Sequence, residues 1–128
     1  MLSQEQVRAL GQILDTTFGR SSTTDSATAS FKTKLQGELL TVTYATIRKF
    51  ASESDQWEQS KDFDKESAQL TDNFMKDVKK DFKEASGSAL KLKEQSSTTD
   101  FEVIGVQGHI SPARTVYCKR ITTFEITN

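Results

Sequence analysis

Apolar residues recur along this chain with two different periods, and their alternation divides it into elements. The longest helical period runs through Phe63, Leu70, Phe74, Val78 and Phe82, with Thr71, Met75 and Ala85 beside them. Four-residue gaps keep the stripe on one face, and Lys76, Asp77, Lys79, Lys80, Asp81, Lys83 and Glu84 occupy the other. The spacing predicts a helix from Ser60 or Asp62 to a stop at Gly87. Such a helix needs a surface to cover its phenylalanines, because packing supplies most helical stability. A shorter helix opens the chain. Ser3 and Gln6 fit a capping box, Val7, Leu10, Ile13, Leu14 and Phe18 form its stripe, and Gly19 reads as its stop. Gly11 costs about 1 kcal/mol inside it and reads as a packing notch for another element.

Between the helices the period shortens to two. Phe31, Thr33 and Leu35 alternate with Lys32, Lys34 and Gln36, and after Gly37 a β-branched, aromatic run extends from Leu39 to Phe50. The short glycine turn predicts a hairpin. Leu40, Val42 and Tyr44 form one row, and Ile47 and Phe50 read as breaking it, through a bulge near Ala45. Residues 52–61 read as a polar connection with Trp57 alone in it. After the long helix come a strand carrying Leu90 and Leu92, a turn at Ser96–Asp100, a strand from Phe101 to Val106, and a last strand from Arg114 to Thr127. Pro112 bars a central strand where it stands. On the last strand Val116, Cys118, Phe124 and Ile126 share one face, and Tyr117 and Ile121 the other. Apolar residues on both faces suggest a central strand or a second contact surface.

These elements assemble into an α+β fold: an antiparallel sheet of four to five strands with two helices packed on one face, in an order close to αββαβββ. The 128 residues fit a single domain, 1–128, with a flexible loop over 20–30, where RSSTTDSATAS has no apolar period. SSTTD occurs twice, at 21–25 and 96–100, in places that do not correspond. Two similar polar segments explain it better than a duplication.

Composition narrows the function. Seventeen basic and eighteen acidic side chains give a net charge of −1, which argues against a general polyanion binder. The single cysteine excludes an internal disulfide and fits a reducing compartment. The first residues lack the apolar run of a signal peptide, and no window is apolar enough to span a membrane. A location in the cytoplasm or in a virion, without secretion, is expected.

Catalytic and cofactor chemistry finds little footing. His109 and Cys118 are nine residues apart, but Cys118 lies on an apolar row, where it behaves as a small hydrophobe. One histidine and one cysteine do not make a zinc site, and the carboxylates lack an EF-hand pattern. Phosphate-binding glycine motifs are absent. No catalytic residue, metal or cofactor is expected, and an enzyme is disfavoured. Lys32, Lys34, Arg48, Lys49, Lys91, Lys93, Arg114, Lys119 and Arg120 cluster in strands with Tyr44, Phe50 and Tyr117 near them. Single-strand nucleic acid on a sheet face is therefore an alternative, though the acids weaken it. A small-ligand site between helices and sheet is another.

Arg120 interrupts the inward row of the last strand, so its charge must snorkel, pair, or face a partner subunit. With Trp57 and Tyr117 it marks a candidate interface. The compact αββαββ order, with many Ser and Thr and no catalytic spacing, resembles small proteins of tailed bacteriophages. Some tail-terminator and head–tail joining proteins share that order and assemble as rings. The resemblance implies a structural or accessory role with self-association, and carries over no site residues. A non-enzymatic assembly or interaction protein, self-associating into a homo-oligomer, is the expectation.

Overall fold

A computed structural model describes residues 2–21, 30–107 and 113–127. Its elements are α1 (Gln4–Ser21), β1 (Ser30–Gln36), β2 (Leu39–Phe50), α2 (Glu53–Ser86), β3 (Leu92–Gln107) and β4 (Ala113–Ile126). The four strands form one antiparallel sheet in the order β1-β2-β4-β3, so the fold is α+β in the order αββαββ. β4 is central, as its two apolar faces suggest. α1 packs on α2 and β1, and α2 lies across β2 and β4.

Local chemistry accounts for the element ends. The Gln6 amide donates to Ser3 Oγ at 3.2 Å, and the Ser3 amide donates to Gln6 Oε1 at 2.9 Å, which closes the capping box. β1 and β2 meet through Gly37-Glu38 between paired Gln36 and Leu39. Gly37 has φ +61°, a conformation a two-residue hairpin turn demands of its first central residue. Gly87 ends α2 at φ 73°, its amide donating to Lys83 O at 2.8 Å.

The core is one cluster. Leu10 and Leu14 of α1, Phe31 of β1, Leu40, Val42, Tyr44 and Phe50 of β2, and Val116, Cys118 and Ile126 of β4 close around Phe63, Phe74, Met75, Val78 and Phe82. Phe31 stacks on Phe74 with ring centroids 4.6 Å apart.

Several expectations need correction. α2 begins at Glu53, so the supposed polar connection is its leading end. Ser52 is the N-cap, with Ser52 Oγ accepting from the Asp55 amide at 3.1 Å while Asp55 Oδ2 accepts from the Ala51 amide at 2.9 Å. The segment Ser96–Asp100 is no turn but the middle of β3, which runs unbroken with bulges at Glu94/Ser96 and Val103/Gly105. There are thus four strands among the described residues. β2 has no bulge near Ala45: Leu40, Val42, Tyr44, Thr46, Arg48 and Phe50 all face the helices in strict alternation, and Ile47 faces away. Gly11 is no notch, since a Cβ there would meet nothing within 4 Å. α1 continues through Gly19 to Ser21. Of the loop expected over 20–30, Ser30 belongs to β1 and 22–29 lie outside the described residues, as do His109 and Pro112.

Candidate interaction surfaces

The helix-facing rows of β2 and β4 carry three arginines, and all three meet the leading half of α2. Arg114 Nη1 donates to Gln56 Oε1 at 3.1 Å. Arg48 pairs with Glu66 at 2.5 Å, its guanidinium 5.3 Å from the Phe63 ring centroid. Arg120 reaches furthest in. Its Nε donates to Ser67 Oγ at 2.9 Å, its Nη1 to Ser97 Oγ, and its Nη2 to both the Asp64 carboxylate and the Asp64 carbonyl, the latter at 2.8 Å. Only 10% of the Arg120 side chain is exposed, against 60% for Asp64. α2 is thus held by phenylalanines along its trailing half and by a polar seam along its leading half.

The three residues singled out as a candidate interface lie in three different places. Arg120 is inside, and pairing is the route by which its charge is answered. Trp57 lies on α2, 73% exposed. It lines a hollow with Gln56, Ser60 and Phe101. Phe101, Val103 and Val106 sit opposite Cys118, Val116 and Arg114, so all three belong to the helix-facing side of β3. Val103, Ile104 and Val106 are exposed, which makes the end of this edge strand an apolar border beside the leading end of α2. β3 was legible as a place of exposed valines only once its turn became a strand.

Tyr117 lies on the opposite face of the sheet, which no helix among the described residues covers. Register gives that face its rows: Ile47–Tyr117–Glu102, Ser30–Ala45–Lys119–Asp100, Lys32–Thr43–Ile121–Thr98, and Lys34–Thr41–Thr123–Ser96. It combines a few apolar side chains with a carpet of threonines and charged margins.

Acid–base and metal chemistry is weakly provided for. Cys118 is fully buried, its Sγ 3.7 Å from Val116 O, and burial pushes its thiol up to about 11. A thiol in that state is a poor nucleophile near neutral pH. Burial, and then the nearby Glu66 carboxylate, raise the Tyr44 phenol, with Arg48 partly offsetting them. Among the described residues no group of three or more His, Cys, Asp or Glu could hold a metal ion. No helix among the described residues is long and apolar enough to cross a membrane. A hollow between α1 and α2 is lined by Gln12, Ile13, Thr16, Asp81, Glu84 and Ala85.

No protein-family model matches the chain, and no curated protein or solved structure matches it either.

Proposed function

We propose that this chain is a non-enzymatic assembly or interaction protein that works through exposed aromatic and sheet surfaces. The observation that carries the reading is Trp57. An indole left 73% exposed forgoes most of the roughly 150–250 Å² that an aromatic side chain can bury. It lines a hollow with Phe101 of the edge strand β3, whose Val103, Ile104 and Val106 are also exposed, and exposed apolar surface of this kind marks interaction sites. Tryptophan is also the residue type most often found at the energetic centre of interfaces. Self-association and a role in a tailed-phage particle remain the finer forms of this proposal, and the second of them rests on element order alone.

The test exploits the single tryptophan in the sequence. Sedimentation velocity and Trp57 emission are followed together over a dilution series, for the protein and for Trp57→Ser. Larger species and a blue-shifted emission are expected of the protein at high concentration, and the larger species should be lost in the variant, which has no tryptophan emission to follow. A monomer with invariant, water-exposed emission up to about 100 µM, well above the weakest micromolar affinities of standard-sized interfaces, overturns self-association.

Lys32, Lys34, Lys49 and Lys119 around Tyr117 on the uncovered face support single-strand nucleic-acid binding as a second reading. Titration with a single-stranded oligonucleotide at low salt tests it, since phosphate contacts are strongest there.

A further inference from the structure

We propose that the uncovered face of the sheet packs against the same face of a second copy, about a two-fold axis parallel to the strands. The inference rests on the self-association reading above and adds a second surface to it, on the face away from Trp57, so Trp57→Ser should leave this pair intact while losing assembly through Trp57.

The argument begins with how charge is distributed on that face. β1 and β2 contribute Lys32, Lys34 and Lys49 and no acid. β3 contributes Asp100 and Glu102, and the neighbouring strand β4 adds Glu125. Two lysines stand among these acids. Lys119 Nζ is 4.0 Å from Asp100 Oδ2, and Lys93 is the register partner of Glu125 at the far end. The β1 margin is therefore positive and the β3 margin is negative on balance. Between them run Ile47 beside Tyr117, Ala45, and Ile121 beside Thr43.

Two in-plane axes could bring two such faces together. An axis across the strands lays β1 over β1, lysine against lysine. An axis along the strands lays the β1 of one copy over the β3 of the other, so that Lys32 and Lys34 meet the Thr98 and Ser96 rows, with Asp100 one row from Lys32, and no lysine margin lies on another. Like-charge juxtaposition suppresses wrong pairings and complementary margins fix register, so charge selects the second axis. Either axis keeps the strands of the two sheets nearly aligned, as in sandwiches, where packed sheets lie within about 30° of alignment. The area is adequate. Four strands about 4.8 Å apart, each contributing about ten residues at about 3.3 Å, present a footprint of roughly 600 Å² before side-chain relief is counted. That approaches the roughly 800 Å² per partner of a standard interface. The same mixture of signs makes a polyanion a poorer occupant than a second copy.

The experiment is a charge-swap exchange. One variant carries Lys32→Glu and Lys34→Glu, the other Asp100→Lys and Glu102→Lys. All four side chains are exposed, and circular dichroism confirms the fold. Analytical ultracentrifugation should show a dimer for the wild type, a dissociation constant raised at least tenfold in each variant alone, and recovery in their equimolar mixture. A wild-type dimer indifferent to both swaps, but dissociated by Trp57→Ser, overturns this face and keeps the assembly reading. A wild-type monomer at about 100 µM overturns both. Tight binding of an oligonucleotide by the wild type, lost with Lys32→Glu and Lys34→Glu, assigns the face to nucleic acid and overturns the pairing.

Discussion

Removing Arg120 tests whether the polar seam under α2 contributes to stability. In Arg120→Ala the guanidinium loses its bonds to Ser67 Oγ, Ser97 Oγ, and the carbonyl and carboxylate of Asp64. Summed at about 1.5–3 kcal/mol per charged bond these would reach about 6–12 kcal/mol, beyond the roughly 4–5 that is already exceptional for a single substitution. The groups left behind have other partners, which lowers the figure. Ser67 Oγ still donates to Asp64 O at 3.2 Å, and Ser97 Oγ still lies 3.2 Å from Thr122 Oγ1. Asp64, 60% exposed, returns to water, so the penalty of about 3–5 kcal/mol for orphaning a buried charge is not incurred. What remains is the stem packing and the net worth of the neutral bonds, about 2–3 kcal/mol. Asp64→Asn keeps the backbone carbonyl and an oxygen acceptor. It removes the charge of the 60% exposed Asp64 while the buried guanidinium keeps its neutral acceptors, and should cost about 1 kcal/mol, less than Arg120→Ala. Urea unfolding followed by far-ultraviolet circular dichroism measures both. Equal costs for the two variants, or a loss below about 0.5 kcal/mol for Arg120→Ala, would refute this account of the seam.

Two further outcomes follow from other positions. Gly11→Ala should raise stability by about 0.5–1 kcal/mol in the same assay, since the added methyl meets nothing within 4 Å; a loss would restore a close neighbour there. The Cys118 thiol is raised in the fold from an ordinary 9.0 to about 11, so the unfolded chain releases its proton first. Its contribution is complete below pH 9 and falls at up to about 1.4 kcal/mol per unit as pH rises toward 11. Cys118→Ala should flatten that part of the stability–pH curve, and an unchanged slope would count against burial as the cause.

The fold could be read from the sequence where contact is apolar and was misread where contact is polar. Phe74, Val78 and Phe82 announce their helix because hydrophobic packing leaves a period in the sequence. The turns of α2 around Trp57 leave none, since Gln56, Asp64 and Ser67 dock on arginines. Only the Ser52–Asp55 cap could have revealed them. Ser96–Asp100 reads as a turn because it is all small polar residues, yet a ladder with Thr123 to Lys119 holds it extended. The inward row of β2 was lost at Arg48 for the same reason, a polar side chain occupying a position expected to be apolar. Arg120 was legible as an anomaly, because a cation amid Val116, Cys118, Phe124 and Ile126 requires an explanation. Its partners come from α2 and β3, far away in the chain, and no local pattern names them.

Because both helices lie on the same side of the sheet, its other side carries no helix among the described residues. An isologous contact made there uses that flank completely in each copy, and nothing equivalent is left to recruit a third. Growth beyond a pair would therefore have to pass through a different patch, and the exposed Trp57 of α2 is the candidate the proposed assembly offers.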